Sequence, residues 1–353
     1  MGAAPAREIA EGNRLRQSGR LDDAIAAYRR AIDLAPADPD ARYNLAIALR
    51  QAGELRGAAL EFRAAWRLNA ADLDAVQNLV ETLALGVERG TRLFPCDPPA
   101  ALSSAEPVSI VVCSVEPARL AAMQANFRQA LAGRAHEFIV VRDARGLCEG
   151  YERGLRCARH DIVVFAHDDV ELASPRPFDA LQRALERHDV AGLAGSRIAA
   201  GPAMAWAGQP HLFGTVSYPV EDRWKATIYS PATGILGGMQ SLDGLLFAAR
   251  RTTALKVGFD AATFDGFHFY DLDFVYRAHR AGHAVAVTTE ILAIHGSEGR
   301  FDDAWRRYAA RFVAKHPELE APQGRACYFG REFARREDLL RFHEEYNGLG
   351  SVA

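Results

Sequence analysis

The chain has no excess of basic charge: 42 Lys and Arg stand against 45 Asp and Glu, a formal net charge of −3. No basic stripe interleaved with aromatics runs along it, so nothing supports nucleic-acid binding. Cysteine is sparse. The five present (Cys96, Cys113, Cys148, Cys157, Cys327) are odd in number and show no CxxC or Cys/His ligand spacing. That excludes a disulfide framework or a zinc ribbon and leaves reduced, mostly structural thiols. No apolar run approaches the length that spans a bilayer, and the opening MGAAPAREIAEGNRLRQ lacks a continuous apolar core. The expectation is a cytoplasmic protein, at most peripheral to the inner face of a membrane. With 49% hydrophobic and 25% charged residues, disorder is not expected either, and 353 residues suffice for two or three compact units.

What is present begins with an internal repeat. Asp22-Asp23-Ala24-Ile25-Ala26-Ala27-Tyr28-Arg29-Arg30-Ala31 aligns with Arg56-Gly57-Ala58-Ala59-Leu60-Glu61-Phe62-Arg63-Ala64-Ala65 at an offset of 34. A Gly-x-Leu turn precedes each block, at Gly19 and Gly53, and the same offset pairs Leu15 with Leu49 and Asn44 with Asn78. The pattern resembles the tetratricopeptide repeat, in which small residues let paired helices approach and Tyr or Phe fills the gap. Two full units are read, 5–38 and 39–72, with a lone helix after them; the module spans 5–92. Two units leave an apolar face uncovered, so the lone helix is expected to dock on the following domain. Asn44 and Asn78 could bind a peptide backbone on a concave face or simply sit on the helix surface. Residues 93–107, rich in Pro and Ser, read as a linker.

From Val108 the pattern changes. VSIVVCS, HEFIVVR and DIVVFA are short apolar runs separated by helical stretches near 118–132 and 148–158. Strand, helix, strand, helix, strand is a doubly wound α/β signature, with ligands expected at the carboxyl ends of the strands. Ser114, Glu116, Asp143, Asp168 and Asp169 cluster at those ends. A later apolar run, 285–294, reads as one more strand and ends at His295.

Three ordered segments then carry a specific likeness: Tyr151–Leu155 through His167-Asp168-Asp169-Val170; Leu242-Asp243-Gly244 through Arg251; and Phe264 through Tyr270-Asp271-Leu272-Asp273-Phe274, continued by Ile294-His295-Gly296-Ser297. Together they resemble the family-2-like GT-A glycosyltransferases, most closely a bacterial subset with a His-Asp-Asp element. The resemblance implies a Rossmann-like nucleotide-diphospho-sugar transferase domain over 108–316, followed by a helical extension over 317–353. It implies a UDP- or GDP-sugar donor and a divalent cation, Mn²⁺ or Mg²⁺. The cation would meet the charge of the departing diphosphate as a Lewis acid. By the same resemblance Asp169 is a metal ligand, with His295 and His167 beside it, and Asp168 faces the ribose or the metal indirectly. Asp271 matches the base that takes the acceptor proton, Tyr270 standing where the family has glutamate. Asp273, Tyr270 and His268 fall on the acceptor or supporting side. Ser114, Glu116, Asp143, Asp243 and Gly244 are assigned to the donor. Carboxylates suit these tasks because they take protons and hold hard cations.

Arg250 and Arg251 are read as either diphosphate contacts or a solvated pair. The segment 205–236, with Trp206, Tyr218, Trp224 and Tyr229 among Gly and Pro, reads as an irregular acceptor-side loop. The final helix, 333–346, is expected to pack on the catalytic domain. The expected activity is transfer of a sugar to a hydroxyl of a protein, peptide or glycan acceptor, with inversion, the repeats recruiting a protein acceptor or partner. The competing class is an adaptor on a degenerate transferase domain, kept open by His167 and Tyr270.

Overall fold

The computed structural model describes residues 3–96, 101–297, 299, 301–322 and 328–350. Cys327 lies outside them. The chain divides into two compact units, 1–96 with 335–353 and 97–334.

The first unit is helical: α1 (Ala3–Gln17), α2 (Leu21–Leu34), α3 (Pro39–Gln51), α4 (Leu55–Leu68) and α5 (Leu73–Glu88). Its 34-residue repeat has a physical basis at each landmark. Asp38 and Asp72 both cap helices, accepting from the N–H groups of Asp40 and Ala41 and of Asp74 and Ala75. Gly19 and Gly53 turn the chain at φ +78 and +85, where a side chain would be strained. Gly12 lies flat on Tyr28, and a Cβ there would stand 2.5 Å from the ring. Asn44 and Asn78 each donate to the carbonyl four residues back, and Asn78 also bonds Tyr43 and Arg50.

The face left open by two repeats is covered from an unexpected source. The last helix, numbered below in chain order as α12 (Arg336–Gly350), packs on α5 within this unit. The buried Glu345 carboxylate accepts from the N–H groups of Leu93 and Phe94, and Arg63 donates to the Leu349 carbonyl. The expectation that this helix packs on the catalytic domain is therefore corrected. Amphipathicity says that a face is buried, not against what. Leu93 and Phe94, read as linker, are themselves buried.

The second unit is α/β. Its elements are β1 (Val108–Cys113), α6 (Pro117–Leu131), β2 (His136–Val141), α7 (Leu147–Cys157), β3 (Ile162–Ala166), β4 (Val170–Leu172), α8 (Pro177–Leu185), β5 (Val190–Gly192), β6 (Ala194–Ser196), β7 (Leu212–Val220), β8 (Arg223–Ile228), β9 (Ile235–Gly237), β10 (Ser241–Leu242), β11 (Leu246–Arg250), α9 (Arg251–Val257), α10 (Tyr270–Arg280), β12 (Val285–Thr288), β13 (Ala293–His295), α11 (Asp303–Lys315) and β14 (Phe329–Phe333). One sheet runs β2-β1-β3-β11-β5-β12-β9, parallel through β2-β1-β3 and antiparallel where β11 meets β3 and β5. The other runs β10-β6-β7-β13-β4, extended by β8 on β7 and β14 on β8. β1 and β3 are buried almost throughout, which explains their unbroken apolar runs.

Three expectations are revised here. The run 285–294 is two strands, not one: it leaves the first sheet after Thr288, and β13 joins β4 and β7 in the second. The segment 205–236 is mostly a hairpin of β7 and β8 rather than a loop. The extension beyond 316 contains β14, which pairs with β8. Among the described residues no helix is long and apolar enough to cross a membrane.

Candidate active site

β3 delivers the first cluster. The strand ends at Ala166, and the chain turns through His167-Asp168-Asp169 before β4. β4 pairs with β13 in antiparallel register, His295 opposite Val170, which brings His295 back beside Asp169. His295 Nε2 lies 3.3 Å from Asp169 Oδ1 and 3.2 Å from His167 Nδ1. One potential ligand atom from each of the three residues falls within 4.8 Å of the others. Ser297 donates to Asp169 Oδ2 at 2.7 Å, and the Gly296 N–H donates to the Asp169 carbonyl at 2.8 Å.

Electrostatics suit the trio to a cation. Burial pushes the His167 imidazole down to about 4, reinforced by His295 and opposed by nearby carboxylates, so the ring is neutral near pH 7. Burial works against an ionised Asp169, but the hydrogen bonds from His295 and Ser297 prevail and hold it well below the usual carboxylate range. The neutral His167 ring, the ionised Asp169 carboxylate and the His295 imidazole beside them form a donor set that fits a divalent ion.

A second cluster comes from α10. Phe269 enters the helix at φ +68, without a side-chain cap, and so turns Tyr270 and Asp271 toward a cavity of about 390 Å³. His167, His295, Asp243, Gly244, Tyr270 and Asp271 all line it. Burial and the neighbouring Asp243 charge push the Asp271 carboxyl up to about 7, against hydrogen bonds from backbone N–H groups that include Gly244. Gly244 is needed for that approach. A Cβ there would overlap the Tyr270 hydroxyl and stand 2.6 Å from Asp271 Oδ2. Asp243 anchors its own loop by accepting from the Leu245 N–H, while the His167 N–H donates to the Leu245 carbonyl. Tyr270 and His167, the two residues that depart from the resembling pattern, meet: the Tyr270 hydroxyl lies 2.5 Å from His167 Nε2.

This constellation coincides with the span that known proteins share. The family model described as "Glycosyltransferase like family" matches residues 110–316, more than half of the chain. The chain belongs to this glycosyltransferase-like family. A second model, described as a TPR repeat, matches residues 12–53. No curated protein matches the chain. Among solved structures, the first TPR of Spaghetti (RPAP3) bound to the HSP90 peptide SRMEEVD is similar at 22% identity. That match covers 24% of this chain and 75% of the other, with a TM-score of 0.22.

The remaining predicted residues of this glycosyltransferase-like chain are distributed unevenly. Ser114 donates to Asp168 Oδ2 at 2.6 Å, and Arg119, which sequence reasoning passed over, lies 3.6 Å from Asp168 Oδ1. Glu116 caps α6 through the Ala118 N–H. Asp143 is exposed and paired with Arg153. His268 lines the cavity, its imidazole pushed down by burial. Asp273 does not reach the cavity. It is buried under α11, bonded to Lys315 at 2.6 Å, His316 at 2.9 Å and Arg277 at 2.7 Å. Arg250 is also elsewhere: it pairs with Ile162 at the start of β3 and is held by Glu106 and Asp161, at the opposite end of the strand from Asp168. A diphosphate contact for Arg250 is therefore excluded by register. Tyr218, Lys225 and Tyr229 line the cavity from β7, β8 and the residue that follows β8, in that order. Lys225 went unassigned because cross-strand neighbours cannot be read from one strand alone, and Ser297 because its partner Asp169 lies 128 residues away in the chain.

Proposed function

We propose that the chain transfers a sugar from a nucleotide-diphosphate donor to an acceptor hydroxyl, with Asp271 as the base. One observation carries the reading: a carboxyl pushed up to about 7 shares a cavity with the His167 and His295 imidazoles. A base titrating near the working pH can accept a proton and still be ionised often enough to do so. The acceptor hydroxyl gives its proton to Asp271 as its oxygen bonds the anomeric carbon. The bond from that carbon to the diphosphate oxygen breaks, and the nucleoside diphosphate leaves with the electron pair. One base and one displacement correspond to inversion. Asp169, His295 and His167 are the residues that would hold a divalent cation. When bound, it would supply Lewis-acid stabilisation of the leaving diphosphate. Asp168, oriented by Ser114, and Asp243 would orient the donor, and Asp143 would contact it from the end of β2. The repeats would recruit a protein acceptor or partner, as expected for a helical repeat module joined to a transferase.

The test is a panel of UDP- and GDP-sugars scored by nucleoside diphosphate release, with and without Mn²⁺. Turnover with one donor that disappears in Asp169→Ala supports the reading. No release from any donor, with no thermal shift from UDP or GDP, would favour a binding protein on a transferase fold.

A further inference from the structure

The His167–Tyr270 contact joins the two clusters. It is short, it is part-buried in the wall of the cavity, and it links the residue that follows β3 to the first residue of α10. Its chemistry has two arrangements. If the Tyr270 hydroxyl donates to a bare Nε2, the proton of the neutral ring sits on Nδ1. If Nε2–H donates to the Tyr270 oxygen, Nδ1 carries the lone pair. Only the second leaves His167 able to ligate through the atom that faces His295 Nε2 at 3.2 Å and Asp169 Oδ1 at 4.0 Å. A ring nitrogen on the far side of a ligating imidazole commonly donates to an oxygen, which sets both tautomer and orientation.

Donor chemistry then bears on which cation is favoured. Mg²⁺ prefers oxygen ligands in near-ideal octahedra and sheds water reluctantly. Mn²⁺ accepts imidazole more readily, and affinity at nitrogen sites rises along the first transition row. Two imidazoles and one carboxylate are thus a poor site for Mg²⁺ and a serviceable one for Mn²⁺.

We infer that Tyr270 is a positioning residue that fixes His167 with Nδ1 toward the cation site, so that the His167–Asp169–His295 group selects Mn²⁺ over Mg²⁺. The inference rests on the proposed cation role of that group. Tyr270 touches no reacting atom in this account. It acts through His167.

The experiment is Mn²⁺ binding to the full chain, followed by the electron paramagnetic resonance of free Mn²⁺, alone and with UDP, with Mg²⁺ as competitor. Wild type should retain Mn²⁺ against about a tenfold excess of Mg²⁺. Tyr270→Phe keeps the ring and removes the hydroxyl. It should weaken Mn²⁺ binding about tenfold while leaving Mg²⁺ binding nearly unchanged. His167→Ala tests the link from the other side, and the double variant should bind no worse than His167→Ala alone, because the hydroxyl has then lost what it positions. Unchanged Mn²⁺ affinity in Tyr270→Phe, or strictly additive losses in the double variant, would overturn the positioning role while the cation site stands. Equal affinity of wild type for Mg²⁺ would overturn the selectivity. A wild type that binds neither ion removes the cation site and the inference together.

Discussion

Helix α10 carries two carboxylates two residues apart, and its two faces treat them in opposite ways. Asp271 faces the cavity, where burial and the Asp243 charge push it up to about 7. Asp273 faces α11, where burial would also push it up, but hydrogen bonds from His316 and Lys315 and the Arg277 charge hold it below its ordinary value. The residue type, helix and turn are the same. What differs is whether cations were placed around the group. A buried carboxylate held by backbone N–H groups alone is poised to take a proton, and one saturated with cations holds structure. Spacing already separates them, because positions i and i+2 lie on different sides of a helix.

The strongest way to break the contrast is Asp271→Asn. Under the proposed function it should lower turnover about 10²- to 10⁴-fold, the usual contribution of a positioned base. Wild-type kcat/KM should rise with pH through about 7 and then level, since the base must be ionised. Stability should move the other way. A carboxyl raised from 3.8 to about 7 in the folded state binds more protons than in the unfolded chain, so wild-type stability falls as pH rises through that window. Removing the charge should therefore stabilise the protein at pH 8, on the order of 2 kcal/mol after allowing for cavity water, and by almost nothing in acid. Thermal melts at the two pH values check this. An inactive variant that is also destabilised at pH 8 would make Asp271 structural and dissolve the comparison.

Asp273→Asn should do the reverse. Lys315, His316 and Arg277 lose a shared, buried partner, and breaking such a cluster from one side costs about 3–5 kcal/mol. The Asp273 carboxyl is depressed, so its contribution is present above its ordinary pKa and is lost as pH falls through the folded value. The penalty measured by denaturant unfolding should thus be full at pH 7 and shrink in strong acid. Folded variant that survives should keep a near-normal kcat. Loss of kcat at full stability would instead move Asp273 into the chemistry.

Gly244→Ala probes the cavity face without replacing either acid. The added Cβ would collide with the Tyr270 hydroxyl and crowd Asp271 Oδ2. Displacing the base by a fraction of an ångström to an ångström should cost about a hundredfold in kcat, against about 1–3 kcal/mol of stability. Kinetics with a comparable Tm would separate this from unfolding. Wild-type rates would show that the geometry at Asp271 tolerates movement and weaken its assignment as base.

How much of this could be read from the chain alone depended on how local the cause was. The repeat was legible because its signals are local: Asp38 and Asp72 cap helices, Gly19 and Gly53 turn, and Gly12 makes room for Tyr28. β1 and β3 were legible as buried apolar runs, and the acids at the end of β3 followed from them. The split of 285–294 was not legible, because a strand that changes sheets keeps its apolar character while changing partners. Nor was the packing of α12 on α5, since an amphipathic face names no partner. The His167–Tyr270 bond joins positions 103 residues apart. Read singly, each was a departure from an acidic pattern; in the fold they are two ends of one contact.

The smallest expected effect tests whether exposure without enclosure makes a third class. Asp143 lies on neither face of α10. It is exposed at the end of β2, and its pKa is lowered chiefly by the hydrogen bond from Arg153. An exposed pair of this kind adds little stability, so Asp143→Ala should leave the melting temperature within about a degree of wild type. If the side chain also meets the donor, it does so far from the bond that breaks, where substrate and transition state gain equally. Loss of such uniform binding raises KM and leaves kcat unchanged, here by about three- to tenfold for the donor. A fall in kcat of the size expected for Asp271→Asn would contradict that. It would mean that environment sorts these carboxylates less cleanly than the two faces of α10 suggest.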